Sequence, residues 1–148
     1  MSTTLAGLYQ RSPDTISPDD CVLLAAERMR QRTVGCLVAV DGANEPIGIV
    51  TDRDLVLRVL ADGREPSETR VRQAMTSEVV VVTAGVSMSS AVRLMREGTF
   101  RRLPVVDDRG RLIGILSLDD VLMELARNLD EVGSVLQQET PATAAFRA

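Results

Sequence analysis

Lysine, histidine and tryptophan are absent from the chain, and its aromatic residues are one tyrosine and two phenylalanines. Each absence removes a chemistry. Without lysine there is no Schiff base to a carbonyl and no phosphate-binding lysine of a P-loop; without histidine the commonest general base and metal ligand are missing. So few aromatics leave little on which nucleic-acid bases could stack. Cysteine is scarce, with Cys21 and Cys36 neither spaced as a redox nor as a zinc pair. Each falls in an apolar run, so both are read as reduced core thiols and no metal site is expected. No stretch approaches the roughly 20 apolar residues of a membrane span. Residues 1–10 have neither a charged start nor a continuous apolar core of a leader, so the expected location is cytoplasmic.

What is present is a chain of 148 residues, 45% hydrophobic, enough for one domain or two small ones packed together. Its 17 basic residues, all arginine, face 21 acidic ones, for a net charge of −4. That balance argues against sequence-independent nucleic-acid binding, which needs a strongly basic face. Acid pairs such as Asp52 with Asp54, or Asp119 with Asp120, are better read as charges stabilising helix starts than as a catalytic dyad, and no catalytic residue is expected.

Laid against itself with an offset of 66 residues, the chain matches without a gap. Ala25, Met29, Arg30 and Thr33 fall on Ala91, Met95, Arg96 and Thr99. Leu37, Val40, Asp41, Ile47, Gly48, Ile49 and Asp54 fall on Leu103, Val106, Asp107, Ile113, Gly114, Ile115 and Asp120. Each half reads as β-α-β-β-α. A short strand at 15–17 or 79–83 leads to a helix, opened in the first half by Ser17 as N-cap with Pro18 in the first turn, and in the second by Thr83. β-branched strands follow at 36–40 and 103–106, then turns rich in Asp, Gly and Asn, then strands at 47–50 and 112–116. The last helices carry the apolar stripes Leu55, Val56, Val59, Leu60 and Val121, Leu122, Leu125. The expected class is α/β (α+β), with a first repeat at 8–62, a solvated linker at 63–73, a second repeat at 74–127, and from 128 a helical extension through Val132, Val135 and Leu136 before a disordered tail from Pro141.

The second hairpin strand of each half runs Gly48-Ile49-Val50-Thr51-Asp52-Arg53-Asp54 and Gly114-Ile115-Leu116-Ser117-Leu118-Asp119-Asp120. Thr51 with Asp54, and Ser117 with Asp120, satisfy the capping box of an ordinary helix start. The glycine three residues upstream lies outside that pattern, and a close backbone approach by a ligand would account for it. These segments, with Thr15-Ile16-Ser17-Pro18-Asp19-Asp20, Arg102-Leu103-Pro104-Val105-Val106-Asp107 and Ala74-Met75-Thr76, resemble the CBS domain family as a tandem pair of the stand-alone bacterial type. The resemblance implies two repeats packed through their sheets with pseudo-two-fold symmetry and two clefts between them. It further implies an energy-sensing regulatory module that binds AMP, ADP or ATP, or else S-adenosylmethionine, and that works as a homodimer on a regulated protein not identified by the sequence. The alternative is an interaction dimer with vestigial clefts.

The resemblance places Asp120, Ser117, Ile115 and Arg101 with Ser17, Val22 and Val34 in one cleft. In the other it places Asp54, Thr51 and Ile49 with Thr83, Met88 and Phe100. A helix start offers free N–H groups to a phosphate, a hydroxyl adds a donor, and the aspartate can accept from neighbouring ribose hydroxyls. Arg101 is the candidate phosphate cation, while Arg102 reads rather as a surface residue. Asp119 departs from the small hydroxyl residue common in nucleotide-binding copies, and Gly35, the counterpart of Arg101, leaves the Asp54 cleft without that cation, so the two clefts should be unequal, with one empty or suited to a less charged ligand such as S-adenosylmethionine. Met29, Met75 and Met95 are read as core, with Met88 the exception. Leu55, Val59, Val121 and Leu125 are the expected dimer face.

Overall fold

The structure, a computed structural model, describes residues 4–139. The expected disordered tail from Pro141 lies outside them. Runs of Val, Ile and Leu form the central hairpin of each half: β3 (Cys36–Val40) with β4 (Pro46–Thr51), and β6 (Arg102–Val106) with β7 (Leu112–Ser117). The preceding strands β2 (Thr15–Ile16) and β5 (Val82–Thr83) pair in parallel with β3 and β6. Both hairpins carry a register irregularity at the same repeat position, Ala39/Val40 and Val105/Val106. Sheet orders are β2-β3-β4 and β1-β7-β6-β5, where β1 (Gln10–Arg11) is an added antiparallel edge strand.

Each sheet is covered by its own helices. α1 (Val22–Arg32) and α4 (Met88–Gly98) bury Val22, Ala25, Met29 and Ala91, Met95. Both end at a left-handed threonine, Thr33 and Thr99, with φ of 55°. The expected helix starts were too early. Ser17 closes a turn instead: its hydroxyl accepts from the Asp19 amide, and Asp20 reaches back to the Ser17 amide. α1 therefore begins at Val22, and α4 is capped by Ser87, whose hydroxyl accepts from the Ser90 amide, not by Thr83. After β4 comes α2 (Asp52–Leu55), widening into a π-helical turn at Val56–Leu60. After β7 comes α5 (Leu118–Glu139), which carries the helical extension expected beyond residue 128.

Two apolar cores lie under the two halves, and a third cluster of Val38, Leu112 and Ile115 joins the sheets between them. Asn44 crosses the same junction, its amide group and backbone bonding to the Leu112 backbone.

The segments that lead into each half are exchanged. Residues 63–73 were expected to be a solvated connection, yet Val71 is fully buried in the first core and opens a short helix α3 (Val71–Ala74). Thr76 then bonds in both directions with Ile49. The matching N-terminal residues do the same for the second half: Leu5 is fully buried in the second core, and β1 pairs with β7. Leu5 and Val71 stand 66 residues apart, as do Tyr9 and Met75. This exchange explains the repeated glycine. A Cβ on Gly48 would meet the Met75 sulfur at 2.4 Å, and one on Gly114 would meet the Tyr9 ring at 2.1 Å. The space at both glycines is filled by the exchanged segment, and not by the close approach of a ligand.

Candidate functional site

Two clefts lie between the halves. In each, one wall is the strand-to-helix junction of one repeat and the other is the helix-to-strand turn of the opposite repeat. The first holds Ile49, Thr51 and Asp52 to Asp54 against Thr76, Glu78, Val79, Val80 and residues 99–102, around an open volume of about 1030 Å³. The second holds Ile115, Ser117, Asp119 and Asp120 against Gln10, Pro13, Asp14, residues 34–36 and Val38, with Arg102 at its edge, around about 660 Å³. Leaving out open solvent, the first cleft encloses about 390 Å³, within the range of small-molecule sites, and the second about 180 Å³, below it.

At each helix start the capping box is formed. Asp54 Oδ2 accepts from the Thr51 amide at 2.9 Å, and Thr51 Oγ1 accepts from the Asp54 amide at 3.2 Å. Asp120 Oδ2 accepts from both the amide and the hydroxyl of Ser117 at 2.7 Å, while Ser117 Oγ accepts from the Asp120 amide at 3.1 Å. Both aspartates also line a cleft. Capping occupies one oxygen of each carboxylate and leaves the other as an acceptor. Beside Asp54, Arg58 stands 3.8 Å from Oδ1 while donating to the carbonyls of Ala74 and Met75, so the cleft carboxylate is braced against the exchanged segment.

The structure assembles the expected residues in part. Asp54, Thr51, Ile49 and Phe100 meet in one cleft; Asp120, Ser117, Ile115 and Val34 meet in the other. Arg101 does not line the Asp120 cleft itself, where it was expected. It lines the Asp54 cleft, and it meets Ser117 and Asp119 in a separate recess. The reason is topological, since the turn from α4 into β6 faces the opposite repeat's junction, and its counterpart Gly35 faces the Asp120 cleft. Four expected residues line neither cleft. Val22 is 2% exposed in the first core, Ser17 lies in the turn above α1 beside a recess with Arg28 and Asp41, Thr83 is exposed on β5, and Met88 packs against the second core. Arg102, read as a surface residue, lines both clefts.

Other lining residues, Thr76 of the Ala74-Met75-Thr76 segment apart, carried no motif. Gln10, Pro13 and Asp14, like Thr76, Glu78, Val79 and Val80, arrive through the exchanged segments and the approach to each short strand. Cys36 is half-buried and lines the Asp120 cleft, so it is not a core thiol; Cys21, also half-buried, is the N-terminal flank of α1. Burial pushes the Cys36 thiol up from its ordinary range, Asp52 and Asp14 push the same way, and Arg102 opposes them.

Charge separates the clefts. Three arginines, Arg53, Arg101 and Arg102, face Asp52, Asp54 and Glu78 in the first, and Arg58 stands by Asp54 from behind. In the second, Arg102 faces Asp14, Asp119 and Asp120, and Asp14 is already held by Arg32 at 2.7 Å. Repeat partners differ in charge at several cleft positions, among them Arg53 against Asp119, Arg101 against Gly35, Arg102 against Cys36 and Asp52 against Leu118. Among the described residues, no group of three or more acidic, cysteine or histidine side chains could hold a metal ion. No helix among them is long and apolar enough to cross a membrane.

The chain is a duplicated β-α-β-β-α unit with paired junction clefts, and the CBS domain family matches residues 6–61 and 71–127. The chain belongs to the CBS domain family, as a CBS pair. It is 36% identical over 122 residues to the CBS domain-containing protein YhcV of Bacillus subtilis, covering 82% of this chain and 84% of that one. A putative signal-transduction protein with CBS domains from Burkholderia ambifaria superposes with a TM-score of 0.75 at 34% identity, over 83% of this chain and 93% of the other. The CBS domain pair of protein MJ0100, in complex with 5′-methylthioadenosine and S-adenosyl-L-methionine, shares the fold with a TM-score of 0.77 at 21% identity, over 86% and 99%.

Proposed function

We propose that this CBS pair is a regulatory module that acts by binding an adenosine nucleotide, AMP, ADP or ATP, in the Asp54 cleft. The observation that carries the reading is the gathering of Arg53, Arg101 and Arg102 at the same cleft as the Thr51 and Asp54 junction. Guanidinium groups match phosphate oxygens in geometry and charge. The second oxygen of Asp54 is an acceptor for ribose hydroxyls, and Ile49, Val79, Val80 and Phe100 offer an apolar wall for a base. Ligand bridging the two walls would change their relative pose, which a regulated protein reads as a shift between two states.

The Asp120 cleft suits a different ligand. Its acid excess disfavours phosphates and accepts an uncharged or cationic adenosyl compound, the kind of ligand held by the MJ0100 pair. Isothermal titration with AMP, ATP and S-adenosylmethionine tests both readings. AMP and ATP should bind at one site that Arg101→Ala weakens by tenfold or more, about the value of one charged hydrogen bond. Absence of heat with all three ligands, or AMP binding indifferent to Arg101→Ala, would refute the assignment.

A further inference from the structure

The apolar face expected to join two copies is largely spent inside the single chain: Val59 and Val121 are buried and Leu55 packs on the first core, so of that set Leu125 alone is exposed. The two clefts, by contrast, are joined within one chain by a single side chain. Among the described residues that line them, Arg102 is the one common to both. It opens β6 opposite Ser117 of β7, which places it at the Ser117 junction, while residues 99–101 just before it face the Asp54 cleft.

The other cations behind the clefts are held. Arg32 pairs with Asp14 at 2.7 Å, and Arg58 donates to the carbonyls of Ala74 and Met75 at 2.8 and 2.9 Å. Arg102 is half-buried, and its guanidinium forms no ion pair among the described residues. Its pull toward each side follows from the charges there. In the Asp54 cleft, Arg53 and Arg101 already offset two of the three acids Asp52, Asp54 and Glu78. In the Asp120 cleft, with Asp14 held by Arg32, Asp119 and Asp120 have Arg102 as their one lining cation. An unliganded chain therefore has reason to keep the guanidinium toward Asp120. A nucleotide phosphate in the Asp54 cleft brings about two negative charges and reverses that balance.

We propose that Arg102 is a charge shared between the clefts: a phosphate in the Asp54 cleft draws its guanidinium across, and Asp119 and Asp120 are left uncompensated, so that the Asp120 cleft then rejects a second phosphate and favours a cation. This rests on the reading of the Asp54 cleft as the nucleotide site. Arg101 cannot take the role, since it does not line the Asp120 cleft.

Cys36 reports the transfer. It is the repeat partner of Arg102, sits opposite Thr51 on β4, and lines the Asp120 cleft together with Asp14, Asp119, Asp120 and Arg102. Asp52 and Asp14 make its thiol harder to ionise and Arg102 makes it easier, so withdrawing Arg102 lowers the thiolate fraction at a fixed pH.

In a Cys21→Ser chain, saturating AMP should slow alkylation of Cys36 about threefold or more, since a neighbouring opposite charge shifts a pKa by about a unit or more. With Arg102→Gln added and AMP again saturating, the field of the phosphate alone remains and the slowing should be half as large or less; Arg102→Lys, which keeps the charge, should restore it. A ligand-free cycle separates this from the nucleotide reading. Arg53→Glu places a carboxylate in the Asp54 cleft and should slow alkylation more when Arg102 is present than when it is glutamine. If AMP gives no heat in titration, the nucleotide reading fails and the ligand-free cycle decides the sharing by itself. Equal slowing with Arg102 and with Arg102→Gln, in either arm, would overturn the proposal.

Discussion

Asp54 has two tasks in this reading, and Asp54→Asn separates them. As a cap, its Oδ2 accepts from the Thr51 amide at 2.9 Å. An asparagine oxygen makes the same bond, so what folding loses is the negative charge at the helix start, worth about 0.3–1 kcal/mol. For a chain near this size that lowers the melting temperature by roughly 1–4 °C. As a ligand group the same change is severe. The amide nitrogen that replaces Oδ1 donates and cannot accept from ribose hydroxyls, and a hydrogen bond to a charged group is worth about 1.5–3 kcal/mol. AMP affinity should therefore fall about 10- to 150-fold in isothermal titration, and the AMP-induced rise in melting temperature should shrink with it. Asp120→Asn makes the matching change at the other cleft and should leave AMP affinity within about twofold, since the arginines are not gathered there. Equal losses from both variants, or no loss from Asp54→Asn, would reduce Asp54 to a cap.

Other substitutions test the packing around the clefts. Gly114→Ala should destabilise more than Gly48→Ala, because the new Cβ would lie 2.8 Å from the Gln10 backbone oxygen as well as against Tyr9, whereas at Gly48 it meets the flexible end of Met75; denaturant melts should separate them within the roughly 1–3 kcal/mol range of overpacking. Leu5→Ala should cost about 2–5 kcal/mol, and hydrogen exchange should show faster opening of β6 and β7 than of β3 and β4; a loss near zero would deny the exchanged N-terminal segment its place in the second core. Cys36 should alkylate slowly at neutral pH and faster as pH climbs beyond the ordinary thiol range, as followed by mass spectrometry in a Cys21→Ser chain. The sign follows from the raised thiol pKa, whose contribution to stability is complete below the ordinary thiol range and is lost as pH rises past it. A ligand in the Asp120 cleft should protect the thiol.

Much of this architecture was legible in the sequence because the duplication doubles every weak signal. The strands at Cys36–Val40 and Leu112–Ser117 and the aspartates at the junctions follow from residues read in register, whereas the clefts were expected to be unequal in the opposite sense, with Arg101 at Asp120 and the Asp54 cleft lacking that cation. Local chemistry misled where one short pattern closes two structures. Ser17-Pro18-Asp19-Asp20 has the residues of a helix start, yet the same side-chain bonds close a turn, and α1 begins after it. Val22, chosen for a cleft, shows the limit of a residue-by-residue carry-over: its place on α1 points it into the core. The sidedness of Arg101 was beyond reach as well. The resemblance puts it with Ser117 and Asp120, and the packing of one repeat's turn against the other's junction brings it to the Asp54 cleft as well as beside Ser117 and Asp119.

The exchanged segments were signalled by a feature read otherwise, the glycine shared by both halves. Gly48 and Gly114 are small because Met75 and Tyr9 lie on them, and those two residues are themselves repeat partners. This arrangement ties the clefts to the cores. Thr76 lines the Asp54 cleft four residues after Arg72 and two after the buried Ala74; Gln10 lines the Asp120 cleft five residues after the buried Leu5. Arg58 closes the link by holding both the exchanged backbone and the neighbourhood of Asp54. A ligand that draws the two walls of a cleft together therefore pulls on a segment whose next buried side chain sits in a core. Close-packed cores respond to such a pull by shifting elements as units, so the cleft can set the pose of one repeat against the other.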